Sequence, residues 1–399
     1  MNSQLALQKV FLGLIAITTF VIVALNQSRH ANDLTQTSTN SPHVARGLGG
    51  RYLLLVNTAI AFQMDEPKLR QFNKSAYDGI AVAFLHAYDT SEVPSVATMD
   101  SKLAEWKHYT NKDIWPWVYI NRAVGMSAAE NNPHSNVPYF RRIQGMDLDD
   151  KNGALSDFFQ IWRNSLRAAR DTKVPGVVCD IEFYNYYKQY DIGEIARNSG
   201  KQPREVADSL RAIGARMADI ATKEYPNSIL WFLFTGLTHA GYKTYDGSPY
   251  YPSPAYIAIG LLDEIAKLHL PLKVLAGGEG SIGYCHENLQ EFQSAIHKRE
   301  TDLHDQLQKY RGVLSLAGTM TLWSDQASKK DWVNEGNCKT SAAATVEDLE
   351  PYLELLFSSY RFNWIYASGD GNYLPFSPES AIRFDRVISK ARTQVSVSH

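Results

Sequence analysis

The chain has 399 residues and carries 40 Lys and Arg against 42 Asp and Glu, which gives a formal net charge of −2 at pH 7. This balance, without a run of like charges, argues against nucleic-acid binding. Only three Cys are present, which excludes a disulfide scaffold and a zinc site of the paired CxxC type. With 44% hydrophobic and 12% aromatic residues, the chain can bury a large core and is not disordered.

An uncharged apolar run stands near the N-terminus, at residues 10–25, directly after Lys9. Its length lies between a secretory core of about 7–15 residues and a membrane span of about 20. We therefore expect residues 1–25 to be a signal peptide or a membrane anchor. Residues 26–50 are rich in Ser, Thr, Asn and Gly and predict a disordered linker. Together they predict an exported domain that is periplasmic, at the cell surface or anchored to the inner membrane, and that meets the membrane only through this segment.

From residue 51 onward, short apolar runs alternate with amphipathic helical stretches. The runs are rich in β-branched and aromatic residues and are apolar on both faces, which is typical of buried parallel strands. They lie at 51–61, 79–88, 114–121, 176–182, 228–235, 271–277, 318–324 and 362–368. This alternation predicts an α/β fold, a single (β/α)8 TIM barrel over residues 51–399. An open doubly wound sheet is the alternative, but no G-x-G-x-x-G follows the first strand.

Polar and aromatic side chains follow the predicted strands at their carboxyl ends, where TIM barrels carry their chemistry. Many are aromatic, and sugar rings expose C–H faces that pack on aromatic planes. We therefore expect a carbohydrate ligand at this end of the barrel. The predicted substrate-binding residues are Asn57, His86, Asn121, Arg122, Tyr184, Asn185, His239, Tyr284, Trp323, Trp364 and Tyr366.

The fourth predicted strand ends with two carboxylates, Asp180 and Glu182. Residues at i and i+2 point to the same side of a strand, so both are expected to face the barrel interior. Two close like charges with little water cannot both ionise easily, so the pKa of one should rise. A carboxylic acid that stays protonated near neutral pH can serve as a general acid, and we assign that role to Glu182. The alternative is a structural pair satisfied by Arg122 or by a backbone cap.

This strand-4 pattern, Gly176 to Glu182 with D-x-E at its end, resembles the chitinase-type glycoside hydrolases of family 18. The resemblance implies that Glu182 is the acid/base. It implies that Asp180 orients the N-acetyl group of the substrate, which acts as the nucleophile. Tyr284 and Trp364 are the counterparts that it implies for the family's Tyr near strand 6 and Trp at strand 8.

The chain departs from that family at Pro175 and Val178, where its earlier aspartates would fall, and two other glycosidase schemes stay open. The cellulase-like retaining enzymes use a strand-4 Glu as acid and a strand-7 nucleophile. Here Glu182 would be the acid, and Asp325 or the glycine-flanked Glu279 the second carboxylate. In the third scheme Asp180 is the nucleophile, with Glu279 or Asp325 as the acid. The glycines around Glu279 mark either close approach to a ligand or an ordinary turn.

No metal or other cofactor is predicted, because His86, His239 and His286 occur singly, without an H-x-H or HExxH pattern. The sequence thus predicts a monomeric glycosidase that cleaves a polysaccharide or oligosaccharide. The alternative is a non-catalytic carbohydrate-binding barrel that is tethered to the membrane.

The cysteines carry a separate expectation. Cys179 lies within the fourth strand and should be a buried thiol that packs as a small hydrophobe. Cys285 and Cys338 follow strands 6 and 7, and we expect them to pair in an oxidising compartment.

Overall fold

A computed structural model of the chain describes the barrel and much of its surroundings. The described residues are 51–57, 64–85, 92–130, 140–146, 148–151, 153–182, 191–238, 242–243, 249–279, 281–282, 286, 288–323, 349–368, 375–376 and 378–397. The predicted signal peptide or anchor at 1–25 and the predicted linker at 26–50 lie outside them. No helix in the described part of the chain is long and apolar enough to cross a membrane.

Eight parallel strands close into a barrel in the order β1-β12-β11-β10-β7-β6-β3-β2. They are β1 Tyr52–Val56, β2 Gly79–Ala83, β3 Asp113–Tyr119, β6 Gly176–Asp180, β7 Ile229–Phe232, β10 Lys273–Ala276, β11 Leu314–Trp323 and β12 Phe362–Ser368. Strand β1 pairs with both β2 and β12, so the sheet has no edge. The prediction of a (β/α)8 barrel is confirmed, and the open doubly wound sheet is excluded.

Two antiparallel hairpins leave the barrel in the loops after β3 and β7, and the sequence did not predict them. Strands β4 Val124–Glu130 and β5 Phe140–Met146 pair after a 3-10 helix at Ile120–Ala123. Strands β8 Tyr242–Lys243 and β9 Pro249–Tyr250 form the second hairpin. None of these segments contains the continuous apolar run by which the barrel strands are recognised.

The helices surround the barrel and begin at local caps. Side-chain oxygens of Asp65, Ser95 and Asn288 each accept a hydrogen bond from the backbone N–H three residues on, which satisfies a donor left free in the first helical turn. The described helices are α1 Glu66–Phe72, α2 Val96–Lys107, α3 Ala154–Asp171, α4 Ile192–Ser199, α5 Pro203–Glu224, α6 Ser253–Leu268, α7 Leu289–Asp302, α8 His304–Lys309, α9 Glu350–Ser359 and α10 Pro378–Val397.

Aromatic rings fill the floor of the barrel. The ring centroids of Tyr52 and Trp115 are 6.0 Å apart, those of Trp115 and Trp231 are 5.6 Å apart, and Phe362 lies 5.8 Å from Trp231. Strand β2 offers small residues to this cluster. A Cβ atom on Gly79 would collide with the Tyr52 hydroxyl, so glycine is required there. Large rings on one strand thus pack against small residues on the next, as a filled barrel requires.

The amino-terminal end of the barrel is closed by Arg392 of α10. Its guanidinium donates to Ala76 O at 2.9 Å and to Arg51 O at 3.0 Å, and it pairs with the Asp78 carboxylate. Asp78 also accepts a hydrogen bond from Leu53 N at 2.7 Å. Burial raises the pKa of Asp78, while the charge of Arg392 opposes that shift. The last helix is thereby fixed to the first two strands.

Replacing Tyr52 with Phe should destabilise the barrel floor. The Tyr52 hydroxyl donates to Asp113 Oδ2 at 2.9 Å and accepts from Trp115 Nε1 at 2.7 Å. Its loss leaves a buried indole N–H without that acceptor, at a cost of about 1–3 kcal/mol. Urea unfolding measures the change in the free energy of unfolding. Tyr109→Phe is the control, because Tyr109 is only partly buried where it packs against the core. Equal effects of the two substitutions would contradict the role given to Tyr52.

Candidate active site

Three carboxylates meet at the carboxyl ends of β6 and β10. Asp180 is the last residue of β6, Glu182 lies just beyond it, and Glu279 follows the end of β10. One oxygen from each carboxylate lies within 4.8 Å of the other two. The structure therefore brings together three of the four predicted catalytic residues. The fourth, Asp325, lies outside the described residues.

Backbone hydrogen bonds between neighbouring strand ends fix the position of Glu279 along the barrel axis. Leu233 N donates to Cys179 O at 3.1 Å, and Glu279 N donates to Leu233 O at 3.2 Å. Gly277 N donates to Phe232 O at 2.6 Å. The hydrogen-bonding pattern of the three strands thus continues beyond the ends of β7 and β10. Glu279 is held level with the end of β6 even though β7 stands between them.

The two glycines before Glu279 are required by the packing of the turn. A Cβ atom on Gly277 would lie 2.5 Å from Phe232 O. Gly278 has φ +95°, in the region that favours glycine, and its carbonyl accepts a hydrogen bond from Ser281 N at 3.0 Å. The structure has the turn that was one of the two interpretations of these glycines, and this turn brings Glu279 to the carboxylate cluster.

Asp180 supports the cluster from below. It has no exposed surface, and its Oδ1 accepts a hydrogen bond from Glu182 N at 2.9 Å. Glu182 and Glu279 are partly exposed. On the neighbouring strand β3, Tyr119 is in register with Asp180, so both side chains face the same side of the sheet. The backbone cap weighed for Asp180 is present, and it fixes the main chain that carries Glu182.

Cys179 immediately precedes this cluster and is a buried free thiol, as predicted. Burial raises its pKa well above the usual range, and the charge of Asp180 adds to the shift. The thiol is therefore neutral and packs as an apolar group. The predicted pair, Cys285 and Cys338, lies outside the described residues.

Trp364, a predicted substrate-binding residue, is buried inside the barrel. Its side chain has no exposed surface, and its indole Nε1 donates to Gly277 O at 2.9 Å. Trp364 is in register with Leu54, inside the barrel and below the end of β12. It supports the turn that leads to Glu279. Tyr366, two residues further along β12, is partly exposed and stays at the mouth.

The other predicted residues occupy strand ends or lie outside the described chain. Asn57 directly follows β1 and is buried. Asn121 and Arg122 belong to the 3-10 helix after β3, and Trp323 ends β11 in register with Ser368. The residues outside the described part are His86, Tyr184, Asn185, His239, Tyr284 and Asp325.

Two residues near the site were not singled out from the sequence. Tyr119 could have been found, because it lies two positions after Trp117 and therefore on the same side of β3. In the structure the two rings stack with centroids 4.6 Å apart. Arg299 could also have been found, because it lies three residues after Ile296 and seven after Phe292, on the buried face of α7. It is only 1% exposed, and its Nη1 donates to Ala317 O at 2.7 Å.

The carboxylate cluster permits two kinds of chemistry. Within the described chain, no other group of His, Cys, Asp and Glu side chains is close enough to share a metal ion. Three carboxylate oxygens suit a hard cation such as Mg²⁺ or Ca²⁺. The same crowding of like charges favours retention of a proton on one member, which is what proton transfer to a leaving group needs.

No protein-family model and no curated protein matches the chain. Several solved barrels resemble it in fold. Endo-glycoceramidase II from Rhodococcus sp. has a TM-score of 0.48 at 10% identity, covering 84% of this chain and 79% of that one. A GH18 chitinase from Pseudoalteromonas aurantia has a TM-score of 0.40 at 8% identity, covering 85% and 99%. A sugar phosphate isomerase/epimerase from Parabacteroides distasonis has a TM-score of 0.40 at 8% identity, covering 83% and 96%. These likenesses concern the barrel and do not select a reaction.

Gly278→Ala should lower the free energy of unfolding by more than the cost of placing alanine in the left-handed backbone region. A Cβ atom there would lie 2.8 Å from Arg299 Nη1. Gly200, which follows α4, has φ +69°, and a Cβ atom on it would meet nothing within 4 Å. Gly200→Ala therefore carries the conformational cost alone, about 1–2 kcal/mol. Urea unfolding should show a larger loss for Gly278→Ala than for Gly200→Ala. Equal losses would mean that the turn accommodates the methyl group freely.

Proposed function

We propose that the chain is a glycoside hydrolase that cleaves a polysaccharide or oligosaccharide, with Glu182 as general acid/base. The observation that carries this proposal is the approach of the Asp180, Glu182 and Glu279 oxygens to within 4.8 Å of one another at the mouth of the barrel. Glycoside hydrolysis uses a pair of carboxyl groups around the scissile bond. The cluster provides such a pair together with a third, buried member.

Exposure divides the roles among the three carboxylates. Glu182 and Glu279 are partly exposed and can reach a bound sugar, whereas Asp180 is buried and caps the backbone of Glu182. Carboxyl groups about 5–5.5 Å apart act by retention, and those about 6.5–9.5 Å apart by inversion. The approach of one oxygen from each carboxylate to within 4.8 Å supports the retaining arrangement, with Glu279 as the nucleophile.

The proposed reaction has two steps, formation of a glycosyl-enzyme and its hydrolysis. Glu182 gives its proton to the leaving oxygen as the glycosidic bond breaks, while a Glu279 oxygen bonds to the anomeric carbon. Glu182, now ionised, takes a proton from water, and the water oxygen displaces Glu279 from that carbon. The free sugar leaves, and Glu182 is protonated again. The adjacent like charges help Glu182 hold its proton before the first step.

The family-18 resemblance supports a variant of this scheme. There the N-acetyl group of the substrate replaces Glu279 as the nucleophile, and Asp180 orients it. Both schemes keep Glu182 as the acid/base. They differ in their substrates, because the variant requires a 2-acetamido sugar and the Glu279 scheme does not.

The site of action is also a proposal. The apolar segment at 10–25 and the polar stretch at 26–50 support export to the periplasm, the cell surface or the outer face of the inner membrane. The substrate would then be a glycan outside the cytoplasm.

Glu182→Gln is the direct test of the acid/base. The purified chain is offered chitin, β-glucan, mannan and xyloglucan, and the release of reducing ends is measured. On the glycan that the parent cleaves, Glu182→Gln should lower kcat by about 10²–10⁴-fold, because the amide cannot transfer the proton. KM should change little, since binding does not use that proton. Glu264→Gln, on the outer helix α6, is the control and should retain full activity.

Three outcomes would overturn parts of this account. If Glu182→Gln is as fast as the parent, Glu182 is structural and not the acid. If EDTA abolishes activity and Mg²⁺ or Ca²⁺ restores it, the carboxylate cluster binds a metal instead. If the parent binds a glycan of the panel without cleaving it, the chain is a carbohydrate-binding barrel.

A further inference from the structure

We infer that Arg299 is a positioning residue for Glu279. Its buried guanidinium holds the Gly277-Gly278-Glu279 turn at the height where the Glu279 carboxylate meets Asp180 and Glu182. This inference rests on the proposed function, because it gives Glu279 a part in the reaction. It adds a residue of the outer helix layer to the catalytic apparatus of the barrel.

The first support comes from the strands below the turn. Arg299 Nη1 donates to Ala317 O of β11 at 2.7 Å, and Nη2 donates to Ala276 O, the last carbonyl of β10. Ala276 directly precedes the turn. One planar group therefore ties β10 to β11 at the point where the chain leaves the barrel.

The second support is direct contact with the turn. A Cβ atom on Gly278 would lie 2.8 Å from Arg299 Nη1 and 2.9 Å from Cζ, so the guanidinium lies against the Gly278 backbone. The Tyr360 ring centroid is 5.5 Å from the guanidinium carbon. The turn cannot move toward α7 unless Arg299 moves first.

The remaining sides of the turn are held by the barrel. Trp364 Nε1 donates to Gly277 O at 2.9 Å, Gly277 N donates to Phe232 O at 2.6 Å, and Glu279 N donates to Leu233 O at 3.2 Å. Arg299 adds a contact with the turn from α7. Displacing a reacting group by about 1 Å can cost about 10²-fold in rate, so a loosened turn should be visible in kcat.

Arginine is suited to this position because its planar fork donates to two carbonyls at once. Burial lowers the pKa of Arg299, while Tyr360 and Glu300 oppose the shift. A lysine could reach one carbonyl with its single ammonium group but could not lie flat against the turn. Arg299→Lys should therefore recover only part of what Arg299→Met loses.

The chain offers a matched control in Arg392. That guanidinium also donates to two backbone carbonyls, Ala76 O and Arg51 O, and lies 5.5 Å from an aromatic ring, that of Phe357. It stands at the opposite, amino-terminal end of the barrel. Arg392→Met should lower stability without touching the site.

The experiment compares Arg299→Met, Arg299→Lys and Arg392→Met with the parent, on the glycan that the parent cleaves. Arg299→Met should lower kcat by about 10²-fold with KM near that of the parent, and Arg299→Lys should recover part of kcat. Arg392→Met should lower Tm and leave kcat unchanged. The inference is overturned if Arg299→Met loses only stability, with the kcat of the parent per folded molecule.

A second measurement keeps the inference separate from the proposed function. Hydrogen exchange at the Glu279 amide, which bonds to Leu233 O, reports on the turn without any substrate. Arg299→Met should speed exchange in a peptide covering residues 277–282, and Arg392→Met should not. If the parent cleaves no glycan, the proposed function fails while this comparison still tests Arg299. Unchanged exchange in Arg299→Met overturns the positioning role.

Discussion

The site depends on one continuous set of backbone hydrogen bonds, which runs from Cys179 through Leu233 to Glu279. These bonds extend the parallel pairing past the last residues of β7 and β10, beside the end of β6. They bring carboxylates from β6 and from the turn after β10 to one level across an intervening strand. Without them, Glu279 would be a residue of an ordinary loop, and Asp180 and Glu182 would stand alone.

The two ends of the barrel contribute differently to the stability of the fold. At the amino-terminal end, interlocking aromatic rings and the Arg392 bonds stabilise the fold. At the carboxyl end, three crowded carboxylates repel one another, and a buried guanidinium takes up space that an apolar side chain could fill. Departures from ideal packing are expected at functional sites, where the rest of the fold supplies the stability.

The sequence predicted the features that depend on local pattern. Alternating apolar runs predicted the barrel, and the i, i+2 spacing of Asp180 and Glu182 predicted that both carboxylates would meet at the end of β6. The depth of a side chain inside the barrel and the contacts of the outer helices were harder to predict. Trp364 was expected at the mouth because it lies near the end of the predicted strand. Nothing in the β12 sequence tells how far below that end the indole lies. Arg299 was missed because its partners, Ala276 O and Ala317 O, are backbone atoms of distant strands. Its spacing from Phe292 and Ile296 places it on the buried face of α7, but nothing in the sequence names those backbone partners.

Covalent trapping tests the central claim that Glu182 and Glu279 act as a close pair. A 2-deoxy-2-fluoro glycoside of the sugar selected by the glycan panel would slow the second step of the proposed reaction, so that the product of the first step accumulates. Intact-protein mass followed by peptide mapping should find one glycosyl group, attached to Glu279. An adduct on Asp180, or turnover that gives the inverted anomer with no adduct, would contradict the account.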